Sequence, residues 1–158
     1  MRKTMFLAIL VAISLTIGAC GKPIDDAKTD TPKSETVVDD SGVTKKVDGM
    51  AIEIVEVMTL DKAKKTDDTI IKVHLKGKNN SPDPQALDSM LLTVENSEGK
   101  PLEIYPSTSI GTTLAPGTEA EGDAFFILKG DAPLTITYEN PETKSKAVWS
   151  IKTIKDAS

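Results

Sequence analysis

Between Met50 and Ile151 the apolar residues recur at every second position in short runs, and no segment carries the 3.6-residue period of a helix. Alternation of this kind produces strands with one buried and one wet face. Met50, Ile52 and Ile54 alternate, and Val55 and Val57 then continue in the opposite phase. A phase switch inside one run predicts a bulge, or a strand that crosses between sheets. Ile71, Val73 and Leu75 alternate with Lys72, His74 and Lys76 as a second strand, and Met90, Leu92 and Val94 form a third. Asn96-Ser97-Glu98-Gly99 reads as a hairpin turn with Gly99 at a positive φ, returning through Leu102 and Ile104 as a fourth strand. Pro106 ends that strand, Ser107 to Ala115 reads as loop, and Ala115-Pro116-Gly117 has the residues of a type II turn. Thr118–Leu128 is the fifth strand and Leu134, Ile136 and Tyr138 the sixth. After a turn at Asn140-Pro141-Glu142-Thr143, Ala147, Trp149 and Ile151 give the seventh. Only Asp61 to Lys65 could make a helical turn. The expected fold class is all-β: an immunoglobulin-like antiparallel β-sandwich of about seven strands occupying residues 45–158.

A sandwich of this type is often stapled by a disulfide between its sheets, but this chain has one cysteine, Cys20. Aliphatics, Phe125 or Phe126, and Trp149 must therefore fill the centre by packing alone. Cys20 itself lies at the end of a different kind of segment. Arg2 and Lys3 precede the uncharged, largely apolar run from Met5, which ends in Gly18 and Ala19. That is the layout of a secretory signal peptide, and the run is shorter than the roughly 20 apolar residues a spanning helix needs. Ile17-Gly18-Ala19-Cys20 resembles the bacterial lipobox. The resemblance implies a diacylglycerol on the Cys20 thiol and cleavage before it, so that residues 1–19 are a lipoprotein signal peptide. Two acyl chains hold a protein at a bilayer stably where one does not. The expected location is the cell membrane, lipid-anchored on its extracytoplasmic face, or the outer membrane where the cell has one.

Residues 20–44 are rich in Asp, Thr, Ser, Lys and Pro, with Val37-Val38 as the only apolar pair. Such a segment buries too little to offset its ordering entropy and is expected to be a disordered acidic linker. Loss of the signal would remove Arg2 and Lys3, two of the 19 basic residues, and leave 17 against 24 acidic ones, a balance of −7. An acidic body offers no footing for nucleic acid, whose binding depends on neutralising phosphates. Arg2 is the only arginine, so the exported part has no residue for bidentate anion recognition.

The order of elements carries a resemblance. An N-terminal strand is followed by "IIKVHLKGKNNSPDPQALDSMLLTVENSEGKPL", then "LAPGTEAEGDAFFIL", then a last hairpin. The strand ending in Asn79-Asn80-Ser81, the Asn96–Gly99 hairpin, the Pro116-Gly117 turn, Gly122 and Phe125-Phe126 make residues 47–140 similar to the domain of unknown function 4352 family. That is an immunoglobulin-like module of bacterial lipoproteins, common in Gram-positive cells. The resemblance implies a fold and brings no catalytic residue.

No constellation of residues points to catalysis. His74 is the only histidine and falls in the polar phase of its strand, where a solvated surface position is expected. Asp67-Asp68 lacks the spacing of a cation loop and reads as a turn. The chain is thus expected to be no enzyme and to need no cofactor or metal. Possible interaction residues are Asn79, Asn80 and Asp83, in the proline-bearing loop Asn79 to Leu87, since binding by immunoglobulin-like modules is concentrated in end loops. Glu119, Glu121 and Asp123 project from one face of the fifth strand. That stripe could meet a cation or a basic partner, or simply block edge-to-edge pairing. Tyr105 and Tyr138 could be exposed anchors or packed. The expected function is a non-catalytic binding or interaction module at the cell envelope, held at the membrane through Cys20 and meeting a protein or envelope partner. The alternative is an accessory subunit of a membrane transport or secretion complex.

Overall fold

The computed structural model describes residues 38–60 and 68–156. The signal peptide, Cys20, residues 20–37 of the linker, the Asp61–Lys65 turn and Asp67 lie outside the described residues. The strands are β1 (Thr44–Val47), β2 (Met50–Leu60), β3 (Thr69–Asn79), β4 (Gln85–Asp88), β5 (Leu92–Glu95) and β6 (Glu103–Ile104). They continue with β7 (Gly111–Leu114), β8 (Glu119–Leu128), β9 (Leu134–Glu139), β10 (Lys146–Ile151) and β11 (Lys155–Asp156). One sheet has the order β1-β2-β3-β8-β6, and a second the order β10-β9-β5; β4 and β7 form a separate pair. The pairings are antiparallel except that β11 runs parallel to β2 at Met58 and Thr59.

Alternation sets the two faces. In β3 the odd residues Ile71, Val73 and Leu75 are buried, and the even ones from Lys72 to Lys78 face outward. In β2 the register with β3 shifts between Ile54 and Glu56, so Ile52, Ile54 and Val57 all point inward. The phase switch read in the sequence is therefore a β-bulge within one sheet. Phe126 and Trp149 fill the centre beside Ile136 and Leu134, while Phe125 stands opposite Lys72 on the outer face. Side chains of both sheets belong to one continuous core, the arrangement of a β-sandwich. Gly77 and Gly122 leave a gap in the inner face of the large sheet. A Cβ on Gly77 would lie 2.8 Å from a Leu87 methyl, and one on Gly122 would lie 2.9 Å from Ile110 Cβ. The two glycines let β4 and the segment before β7 lie across the sheet.

The structure differs from the sequence expectation in four places. Met90 is 70% exposed, in a single 3₁₀ turn (Ser89–Leu91), so the third strand starts at Leu92. The Asp88 carboxylate accepts from Met90 N–H at 2.8 Å and starts that turn, taking Met90 out of the alternation. The fourth strand begins as a hairpin, with Leu102 N–H donating to Val94 O at 2.7 Å. It then crosses to β8, where Glu103 and Ile104 pair with Ile127 and Phe126. Gln85–Asp88 and Gly111–Leu114, both expected to be loop, pair with each other as β4 and β7. Neither alternates cleanly enough to be read locally; only the partner strand completes their hydrogen bonds. Last, contacts with the sandwich begin before Lys45. Asp40 N–H donates to Ser150 O at 2.8 Å, Gly42 N–H to Ile54 O at 2.8 Å, and Trp149 Nε1 to Val43 O at 2.8 Å. Residues 38–43 are a strap along the edge of β10.

Candidate functional site

Three connections meet at one end of the sandwich, and each has a local cause. Val47 pairs with Met50, so β1 and β2 are joined by two residues, Asp48 and Gly49, both at positive φ (46° and 81°). This is the primed turn that Asp-Gly favours because its twist matches that of the strands. Gly49 is required twice over. A Cβ there would also fall 2.6 Å from Ser81 Cβ, in the loop after β3. Asn80 N–H donates to Gly49 O at 2.8 Å and binds that loop to the turn.

The second connection, Asn79 to Pro84, is organised by Asn79. Its Oδ1 accepts from Ser81 N–H and Ser81 Oγ at 2.8 Å each. Its Nδ2 donates to Asp83 O at 2.8 Å and Leu114 O at 2.9 Å. The third, Asn140 to Ser145, uses the same device: Asn140 Oδ1 accepts from Glu142 N–H at 2.9 Å and Thr143 N–H at 3.3 Å. An asparagine amide that bonds the backbone two residues ahead mimics a turn and presets the loop. Thr143 Oγ1 then donates to the Asp48 carboxylate, joining the third connection to the first.

Together these turns border a groove of about 540 Å³, lined among others by Asp48, Asp83, Pro84, Tyr138, Pro141 and Glu142. Tyr138 is buried, and its hydroxyl donates to Ala86 O at 2.6 Å. Burial, chiefly, with the nearby carboxylates of Asp88 and Asp48 acting the same way, pushes the phenol pKa up to about 12. Tyr138 is thus a packed part of the groove and not an exposed anchor. Among the described residues no lysine, arginine, histidine or cysteine lines the groove, and three of the lining residues are acids. Among the described residues no three His, Cys, Asp or Glu side chains converge as metal ligands.

The expected interaction residues separate into different roles. Asp83 is exposed and lines the groove, and Asn80 is exposed beside it. Asn79 is fully buried, with all four hydrogen bonds made inside the fold, so it positions the loop and presents nothing to a ligand. Glu119, Glu121 and Asp123 do share the outer face of β8, but they are not an unopposed acidic stripe. Across the ladder they stand opposite Lys78, Lys76 and His74 of β3. Lys76 Nζ lies 3.5 Å from Glu119, and Asp123 accepts from His74 Nδ1 at 2.8 Å with Lys72 Nζ at 4.0 Å. Glu53 and Glu56 of β2 flank the same basic column on its other side. The outer face is a ladder of acidic, basic and acidic columns, in which Glu119 and Asp123 pair with side chains of β3 and Glu121 stands opposite Lys76.

The sequence reading missed Asp48, Glu142 and Tyr138 as residues of the groove. "VDGM", an Asp-Gly pair between apolar residues, is a strong hairpin signal and would have located Asp48 in a tight turn. Nothing local indicates that residues near 48, 83 and 142 are neighbours.

No protein-family model matches the chain, and no curated protein matches it. Among solved structures, the ycdA protein of Bacillus subtilis, described as a candidate lipoprotein, superposes with a TM-score of 0.61 and 21% identity over 71% of this chain. This chain spans only 39% of that protein's length. The yjhA protein of Bacillus subtilis gives a TM-score of 0.54 at 14% identity, covering 73% of this chain and 100% of its own. MPT63, a secreted protein of Mycobacterium tuberculosis, gives 0.54 at 11% identity, covering 74% and 99%. At these identities the likeness is one of fold. No helix among the described residues is long and apolar enough to cross a membrane.

Proposed function

We propose that this chain is a lipid-anchored extracytoplasmic lipoprotein whose immunoglobulin-like domain is a non-catalytic binding module, with the groove end as its contact surface. The groove carries the reading. Segments from three distant parts of the chain are each preset by an internal hydrogen-bonded turn, and they enclose a volume within the 300–1,000 Å³ typical of small-ligand sites. Preset loops spare the ordering cost of binding. The acidic lining disfavours anions and suits a neutral polar or cationic group.

The anchor rests on the Ile17–Cys20 pattern, and the candidate-lipoprotein description of the ycdA protein supports it. The likeness to the domain of unknown function 4352 family is part of the same reading. Cys20→Ala should release the exported protein from the membrane fraction; retention there would refute the anchor. A photo-crosslinker at Asp83 should give a recurrent adduct in intact cells that Ala86→Trp, which fills the groove, abolishes. An adduct unchanged by Ala86→Trp would refute the groove. A single integral-membrane adduct would assign the protein to a membrane complex as an accessory subunit.

A further inference from the structure

The small sheet has two edges, and they are closed differently. β5 is covered by its own return: Leu102 N–H donates to Val94 O at 2.7 Å, and Glu95 forms a bridge with Pro101. β10 pairs with a strand on one side only, with β9, among the described residues. Its other side carries the strap. Ser150 O accepts from Asp40 N–H at 2.8 Å, and Ser150 N–H donates to Asp40 Oδ2 at 3.0 Å. Asp40 thus bonds Ser150 as a paired strand residue would, with its carboxylate in the place of a carbonyl. Lys45 Nζ holds that carboxylate at 2.8 Å and also donates to Val148 O at 2.5 Å.

In an antiparallel strand the N–H and C=O of one residue point to the same side, and alternate residues share that side. Lys146, Val148 and Ser150 therefore turn their backbone groups away from β9. The strap and Lys45 occupy three of these groups, the Ser150 N–H and the carbonyls of Ser150 and Val148. The side chains on this edge suit a second copy of the same strand. An antiparallel pairing centred on Val148 sets Val148 against the second copy's Val148, and Lys146 against the second copy's Ser150, so no like charges face each other. Val148 is β-branched and 45% exposed, and it stands in line with Thr137 and Thr93. Such a contact is isologous: each copy offers the same edge, and the outward backbone groups of 146, 148 and 150 all find complements.

We infer that residues 38–43 cap the β10 edge, and that uncapping it joins two copies of this chain edge to edge through β10. While in place, the cap keeps the sandwich monomeric, as a segment laid over a free strand edge does. The test uses the full-length protein in dodecyl maltoside, with the protein mass per particle read by light scattering after subtraction of bound detergent. The wild type should be a monomer. Asp40→Pro/Lys45→Ala removes the N–H, the carboxylate and the ammonium together, and the mass should double. Adding Val148→Pro should restore the monomer. That N–H faces away from β9, so a proline there blocks a second copy and removes no bond of the β9–β10 ladder. Should Asp40→Pro/Lys45→Ala lack a cooperative urea transition, Asp40→Ala/Lys45→Ala replaces it; this keeps the Asp40 N–H bond and should give a dimer fraction that grows with protein concentration. A dimeric wild type overturns the cap. A folded uncapped variant that stays monomeric at every concentration, or a dimer indifferent to Val148→Pro, overturns pairing through β10.

Discussion

The loop at 79–84 and the strap at 38–43 do the same structural work with different chemistry. Each is an irregular segment laid against the sandwich, and each is bound by an Asx side chain that accepts backbone N–H bonds. Asn79 is fully buried and uses both acceptor and donor atoms of its amide. Asp39 and Asp40 can only accept, and Asp40 stays partly exposed beside Lys45. A neutral amide can be enclosed with no ionisation to oppose, whereas a carboxylate needs a cation and water nearby. The bonds that Asn79 makes to the loop beside the groove involve no titrating side chain, while the strap is tied by groups that titrate. The hydrogen bond from Lys45 is the main cause of the lowered Asp40 pKa, with Ser150 N–H adding to it. At Asp39, burial opposes the shift, but bonds from Ser41 and Thr153 outweigh it and lower the pKa as well.

Exchanging the two chemistries gives the largest expected effect. Asn79→Asp removes the donors to Asp83 O and Leu114 O and places a carboxylate against them. Urea denaturation at pH 7 should show a loss of about 4 kcal/mol, partly recovered in acid as the carboxyl protonates. Gly49→Ala should cost about 2 kcal/mol from the positive φ and the clash with Ser81, with the damage confined to the groove end in hydrogen exchange. Tyr138→Phe should cost about 1 kcal/mol for the lost bond to Ala86 O. It should also remove an alkaline dependence. The Tyr138 pKa rises from about 10 to about 12 on folding, so its contribution is complete below pH 10 and fades as pH climbs toward 12.

The smallest effect is at the strap. Asp40→Asn should cost under about 1 kcal/mol at pH 7, because the pair with Lys45 is partly solvated. Both strap carboxylates have folded pKa values below 3.8, so their contribution is present above that pH and lost as pH falls through the folded values. Trp149 is the only tryptophan and donates to Val43 O, so its emission should report release of the strap as pH falls through those lowered folded values in the wild type. In Asp40→Asn the midpoint should be displaced and the amplitude reduced. An unchanged acid transition would mean that the carboxylates do not tie the strap.

Most of the sandwich was legible because its signals are local. The alternation of Ile71, Val73 and Leu75, the phase change after Ile54 and the Gly99 and Gly117 turns each depend on a few consecutive residues. All of these appear in the structure, with φ of 72° and 79° at the two glycines. The misread segments were those whose state depends on a distant partner. β4 and β7 are strands because each completes the other's hydrogen bonds. Met90 was placed in a strand because its apolar side chain fits the alternation, yet one bond from Asp88 takes it out. At the candidate site, the loop from Asn79 was correctly singled out. Its first residue proved to be the buried support and Asp83 the exposed member.

The sequence by itself determined the long strands β2, β3, β8, β9 and β10, their main turns, and that packing without a disulfide must hold them. These follow from side-chain period, backbone φ and residue type, all set within a few residues. The tertiary structure alone decided that Asp48, Asp83 and Glu142 share a groove, and that the acids of β8 stand opposite the basic residues of β3. Strands that lie about 4.8 Å apart in a sheet can be dozens of residues apart in the chain, so electrostatic and functional neighbourhood is a property of topology.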